Sequence, residues 1–176
     1  MTLTKKDEEK IRKIVREEFK VKNKEQHPNY DEWDEEAIES DLLDIKIAPE
    51  NYWEIDEDGN KKEYFTWDEA MDIEKKLPDG WRLPTRSEWA ILAEEFGTDD
   101  NGELDGAKLS EALDLPLSGY RYGGSTSNQG SYGSYWSSVA NDNNYAYSLY
   151  LNSSDVYPQD YYSKWNGFTV RCIAAS

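Results

Sequence analysis

Side chains able to do acid–base, nucleophilic or metal chemistry are few and scattered. His27 is the single histidine and sits in the polar stretch KEQHPNYDE, the setting of a solvated loop residue rather than a catalytic base. Cys172 is the single cysteine, so the chain can build no internal disulfide, redox pair or multi-cysteine zinc cluster. Serine and cysteine triads that need a histidine are disfavoured for the same reason. The loop GTDDNGELDGAKLSEAL has the acids and glycines of a calcium loop. With Gly106 at its sixth position, Asn101, Glu103 and Asp105 fall at ligand positions, but Ala112 stands where a bidentate glutamate is required. A solvated acidic loop leading into a short helix, AKLSEAL, is the better reading. GYRYGGSTSNQG is glycine-rich yet lacks the lysine and the strand–loop–helix setting of a phosphate loop. No catalytic residue, metal or cofactor is expected.

The remaining chemistry is recognition. Of the 58 residues from Gly119 to Ser176, ten are tyrosine, eleven serine, six asparagine and six glycine. Tyrosine offers a large amphipathic contact at low entropic cost, and the small polar residues offer adaptable hydrogen bonds, as in antibody paratopes. Against this stands ordinary packing of tyrosines in a small sheet through cross-strand pairs. Packing is expected for Tyr135, Tyr145 and Tyr147. It is less expected for Tyr157, Tyr161 and Tyr162, since the last two are adjacent and must point both ways.

Charge divides the chain the same way. The net charge is −17 over 176 residues, yet from Gly119 onward three acids balance three bases, so all of the excess lies in the first 118 residues. Such an excess disfavours nucleic acid and anionic membranes as partners. The length suits one domain with an N-terminal extension, and the 14% aromatic content is far above that of a disordered chain. With no apolar run long enough to span a bilayer and no signal-peptide segment in MTLTKKDEEK, synthesis in the cytoplasm without membrane insertion is expected.

Several elements must position these residues. KKDEEKIRKIVREEFK, residues 5 to 20, puts Ile11, Ile14, Val15 and Phe19 on one helical stripe, to dock on its own domain or to serve oligomerisation or attachment to a larger particle. DEWDEEAIESDLLDI reads as a short helix. NYWEIDEDGNKKEYFTW reads as two strands joined at Asp58-Gly59. Capping boxes, Thr66 with Glu69 and Thr85 with Glu88, announce two helices, the second closed by Gly97. Between them, Trp81 and Leu83 of WRLP should face inward. Beyond Gly119 the helical period gives way to alternation: in YAYSLYL, Tyr145, Tyr147, Leu149 and Leu151 share one face and Ala146, Ser148 and Tyr150 the other. GFTVRCIA reads as a terminal strand with Cys172 buried as a small hydrophobe.

Taken in order, FTWDEAMDIEKKLPDGWRLPTRSEWAILAEEFG, LSGYR, GSYGSYWSS, AYSLYL and GFTVRC resemble the Fibrobacter major paralogous domain family and its relatives. Those relatives include the variable proteins of diversity-generating retroelements. The resemblance covers about residues 50 to 174. It implies an α+β, C-type lectin-like fold: two helices packed on a small twisted antiparallel sheet with long loops. Residues 1–48 would form a helical acidic extension, residues 49–176 the domain, and about 119–170 a variable region.

In that family a retroelement rewrites adenines, commonly in codons that admit Tyr, Ser, Asn, Asp and Gly but never Trp, Gln, Lys, Glu or Met. On that logic Trp136, Gln159, Lys164 and Trp165 stay constant. The positions open to diversification are Tyr122, Asn141, Asn143, Asn144, Ser148, Tyr150, Ser154, Tyr157, Tyr161 and Tyr162, with Trp165 at the edge of the binding face. Tyr135, Trp136, Tyr147, Leu149, Leu151, Phe168 and Val170 would hold the scaffold. The implied function is non-enzymatic recognition of a target ligand, a protein or cell-surface molecule, by a protein displayed on a virus particle or cell surface. Two alternatives are a structural or cell-envelope paralogous domain without diversification and an enzyme of the formylglycine-generating type, which uses paired cysteines that this chain lacks. YPQD and KWNG match neither motif of the calcium-dependent sugar-binding lectins.

Overall fold

The computed structural model describes residues 38–40 and 45–175. The stripe over residues 5 to 20 and His27 lie outside the described residues. Within them the chain is mixed α and β, with three helices and several small antiparallel sheets. None of these helices is long and apolar enough to cross a membrane.

The first elements correct an expectation. Of the stretch read as a short helix, residues 31–45, the described parts are strand: β1 (Ile38–Ser40), and Ile45 where β2 (Ile45–Ile47) begins. Ile45 and Ile47 are fully buried on either side of half-buried Lys46, a period of two that suits a strand and not a helix. What selects that period is pairing: β2 lies between β1 and the last strand, β11 (Ile173–Ala175), and β11 in turn pairs with β5 (Trp81–Arg82). The sheet order is β1-β2-β11-β5.

Local signals hold elsewhere. β3 (Glu54–Ile55) and β4 (Lys61–Lys62) form the hairpin, with Gly59 at φ 82° in its turn. α1 (Trp67–Glu74) and α2 (Arg86–Phe96) both start in complete capping boxes, Thr66–Glu69 and Thr85–Glu88. The expected short helix is α3 (Gly106–Leu113), so three helices stand where the resemblance implied two. Its N-cap Asp105 accepts from the Ala107 and Lys108 amides, while Asp99 accepts from those of Asn101 and Glu103. The loop's acids thus serve its own backbone.

The C-terminal third is an antiparallel meander, β8 (Tyr132–Ala140), β9 (Tyr145–Asn152) and β10 (Val156–Ser163), flanked by a small hairpin of β6 (Tyr120–Tyr122) and β7 (Ser125–Ser127). Both faces of the meander meet a core. Trp89, Leu92, Leu109 and Leu113 from α2 and α3 pack with Tyr135, Leu149 and Leu151 on one side. Trp136 and Ala146 pack with Phe65, Leu83, Phe168 and Val170 on the other. Buried indoles keep their hydrogen bonds: Trp136 Nε1 donates to the Phe65 carbonyl at 2.7 Å and Trp89 Nε1 to the Trp136 carbonyl at 3.2 Å. Trp81 and Leu83 face inward as expected, and Cys172 is buried with its thiol pushed well up by desolvation.

Regular pairing in the last segment is shorter than its alternation suggests. It is confined to Ile173–Ala175, with Phe168 and Thr169 in isolated bridges to Phe65 and Tyr135. Residues 168 to 173 are buried throughout, Arg171 included. All five N–H groups of that guanidinium have acceptors. Nε and Nη2 donate to Asn51 Oδ1 (3.2 and 2.9 Å), Nη2 to the Asp114 carbonyl (2.5 Å), and Nη1 to the carbonyls of Leu113 (2.7 Å) and Ala48 (3.2 Å). Leu113 and Asp114 end α3, where carbonyls lack helical partners and the helix dipole favours a cation.

Candidate functional site

Cross-strand register decides which tyrosines meet. On β9, Tyr150 pairs with Ser134 of β8 and Tyr157 of β10, so these three side chains share one face. Between Tyr157 and Asp160 the β10 register shifts: three steps on β10 match two on β9, from Tyr150 to Ser148. This bulge brings Tyr162, opposite Ala146, onto the face that carries Tyr157. Strict alternation would have joined Tyr157 to Tyr161 instead.

The result is a pocket of about 420 Å³. Tyr120, Tyr122, Tyr132, Tyr150 and Tyr162 line it with Phe168, and Ser134 and Asn166 add further polar groups. The rings are mutually braced. Tyr120 stacks on Tyr132 with centroids 6.1 Å apart and planes 11° from parallel, and Tyr132 meets Tyr150 at 5.2 Å. Tyr150 meets Tyr157 at 5.8 Å, and Tyr162 stands edge-on to Phe168 at 5.5 Å. The Tyr132 hydroxyl accepts from the Asn128 amide. Burial, then the neighbouring Asp160 carboxylate, pushes the Tyr162 phenol up to about 12. The Tyr132 phenol is raised mainly by burial and next by Tyr120 and Tyr150. Both phenols are neutral donors at neutral pH.

Of the positions singled out in the sequence, Tyr122, Tyr150 and Tyr162 line this pocket, and Tyr157 packs against it through Tyr150. The others lie apart. Tyr161 is on the opposite face of β10, edge-on to Tyr145 and Tyr147, where the Arg86 guanidinium lies 4.0 Å from the Tyr147 ring centre. Asn141, Asn143 and Asn144 occupy the β8–β9 turn, organised by Asp142 accepting from the Asn144 and Tyr145 amides. Ser154 is in the turn at the other end of β9. Trp165, 70% exposed, lines a neighbouring cleft of about 660 Å³ with Lys61, Lys62, Glu69 and Arg121.

Two exposures differ from expectation. Ser148 does not reach the surface: it is fully buried between Trp136 and Asp160 in the cross-strand register, and its Oγ has no hydrogen-bond partner. Lying mid-strand on the central strand, it is covered from both sides. Tyr145, expected to pack, is 42% exposed because it opens β9 at the sheet's end, beyond Leu149 and Leu151.

Sequence reasoning missed Tyr120, Tyr132, Ser134, Asn166 and Phe168 as pocket residues. A signal existed for two of them. Tyr132 and Ser134 share the parity of Trp136 in YGSYW, which places them on one side of β8. Tyr120 and Asn166 come from segments outside the meander, brought to it by long-range pairing: Gly119 bridges Gly133 of β8 and Arg121 bridges Gly167.

Among the described residues, no group of three or more His, Cys, Asp and Glu is placed to hold a metal ion. Fold and pocket define a mixed α/β domain that presents an aromatic, charge-poor surface from its C-terminal third. The chain belongs to the Fibrobacter succinogenes major domain family, whose model matches residues 6–174. That match takes in residues before 50 that the motif resemblance leaves aside. No curated protein matches the chain.

Proposed function

We propose that this protein is a non-enzymatic, ligand-binding display protein of C-type lectin-like fold, with a C-terminal tyrosine-rich surface diversified by a retroelement. One observation carries the reading: of the seven large hydrophobic side chains exposed among the described residues, six (Tyr122, Tyr145, Tyr157, Tyr161, Tyr162 and Trp165) fall in the C-terminal third. Of these, Tyr122 and Tyr162 line one pocket and Tyr157 packs against it, and exposed aromatics gathered on one face mark interaction surfaces. The packing beneath them supports tolerance of change, because Tyr135, Trp136, Leu149, Leu151, Phe168 and Val170 are buried while the tyrosines above them are not. Recognition of a protein or cell-surface molecule, on a virus particle or cell surface, is the role such a face would serve.

Family membership alone also favours a second reading, a structural or cell-envelope paralogous domain that is never diversified. Deep sequencing of the encoding locus across a natural population separates the two. Under the display reading, substitutions gather in the codons of Tyr122, Tyr150, Tyr157, Tyr161 and Tyr162, beside a near-copy repeat and a reverse transcriptase gene. Trp136, Gln159, Lys164 and Trp165 stay constant, and buried Ser148 tolerates only small residues. Invariance at all of these codons removes the display reading and leaves the paralogous domain.

A further inference from the structure

Resting on the reading of this face as a binding surface, we infer that the tyrosine pocket takes a monovalent organic cation, a quaternary ammonium or guanidinium head group. Five phenol rings and Phe168 line a 420 Å³ space, and aromatic faces carry the negative end of the ring quadrupole. No lysine or arginine is among the lining residues. Arg121, between Tyr120 and Tyr122 on β6, and Lys164, just past the end of β10, are engaged elsewhere. Arg121 lines the neighbouring cleft and donates through Nη2 to the Gly124 carbonyl, and the Lys164 ammonium lies 4.6 Å from the Trp67 ring centre. On β10 the ionic group on the pocket's face is an acid: Asp160 follows Tyr157 on that face and acts on the Tyr162 phenol.

An anion entering this space would meet a wall of aromatic rings without a cationic lining residue, next to Asp160, which shares a face of β10 with Tyr157 and Tyr162, in the field of a chain with net charge −17. A cation is favoured by the same surroundings. The braced rings also matter, because a wall already ordered in the free protein loses little entropy when it closes on a head group. Hydroxyl and amide groups at Ser134 and Asn166 leave room for polar contacts to whatever carries the charge.

Calorimetric and ligand-observed NMR titrations of the full chain test this with four probes: choline, N-acetyl-arginine amide, 3,3-dimethylbutan-1-ol and methyl glucoside. The dimethylbutanol has the shape of choline without its charge. Choline or the arginine amide should bind at least about fivefold more tightly than dimethylbutanol, the scale of a cation–π contribution. Preference for choline points to a free quaternary ammonium, and preference for the arginine amide to the side chain of a partner protein. Tyr162→Phe should keep the selectivity and Tyr162→Leu should lose it. Tyr122→Leu, at a site 64% exposed, gives the same comparison where folding is not at stake. Equal binding of dimethylbutanol, preference for the glucoside, or no binding of either cation overturns the inference. The display reading fails separately, on invariant codons, so a negative titration beside a diversified locus sinks the cation and leaves the surface.

Discussion

Replacing Arg171 by methionine should be among the most damaging single changes in the described part of the chain. The guanidinium is fully buried and its five N–H groups are all accepted, three of them by the carbonyls of Ala48, Leu113 and Asp114. Burial alone lowers its pKa, so the site holds its charge against a desolvation cost offset by those acceptors. Methionine fills similar volume but leaves three carbonyls and Asn51 Oδ1 without the cation. An unsatisfied buried group costs about 1–3 kcal/mol. Partial relaxation and water entry bring the total to about 3–5 kcal/mol. For a chain of this size that lowers Tm by about 6–20 °C. Asn51→Ala removes the acceptor for two N–H groups and should cost about 2–3 kcal/mol. In the double variant the losses should fall short of additive, since both act on one network. Thermal and urea unfolding followed by circular dichroism measure all three. A loss under about 1 kcal/mol for Arg171→Met, or full additivity, refutes the claim that this buried network joins the last segment to α3 and to residues 48–51.

Other outcomes follow from the same geometry. Ser148→Ala deletes a buried hydroxyl with no partner and should leave Tm unchanged or raise it by a few degrees, about 1 kcal/mol. A clear loss would reveal a partner for that hydroxyl. At Gly106 an added Cβ would lie 1.8 Å from the Asn152 carbonyl oxygen, so Gly106→Ala should destabilise by about 3 kcal/mol or more in urea titration. For Glu88, burial opposes ionisation, but the Arg82 guanidinium (2.6 and 2.7 Å) and the Thr85 amide outweigh it and lower the pKa. Its contribution is therefore full above the ordinary carboxylate range and is lost as pH falls through the lowered folded value. Glu88→Gln should be less stable at pH 7 and show a shallower acid transition than the parent. Tyr135 and Tyr162 are both pushed up to about 12, mainly by burial. Their contribution is full below pH 10 and should be lost between about pH 10 and 12, read as a late phenolate absorbance step that Tyr162→Phe reduces.

Much of the scaffold was legible in the chain because its signals are local. A capping box lies within four residues, so Thr66–Glu69 and Thr85–Glu88 start their helices wherever the domain places them. Asp58-Gly59 turns its hairpin through the glycine's own φ, and Asp105 caps α3 across two and three residues. Composition likewise marked the C-terminal third as the part with aromatic surface to present, since tyrosine, serine and asparagine in a charge-balanced segment must cover more than a core.

Which tyrosines meet was decided by pairing between distant segments. Residues 31 to 45 carry a pattern that reads as a short helix, yet Ile38–Ser40 is strand and Ile45 opens β2, which pairs with β11. The bulge between Tyr157 and Asp160 exists only against β9, and it moves Tyr162 to the side of Tyr157 while Tyr161 turns away. Burial of Ser148 and Arg171 comes from layers supplied by other parts of the chain, and alternation along one strand cannot tell a face open to water from one covered by a second core. Helix starts, turns and the stock of recognition side chains follow from short stretches of chain alone. Tertiary structure decided register and coverage, because both are properties of two segments in contact and neither is written in one.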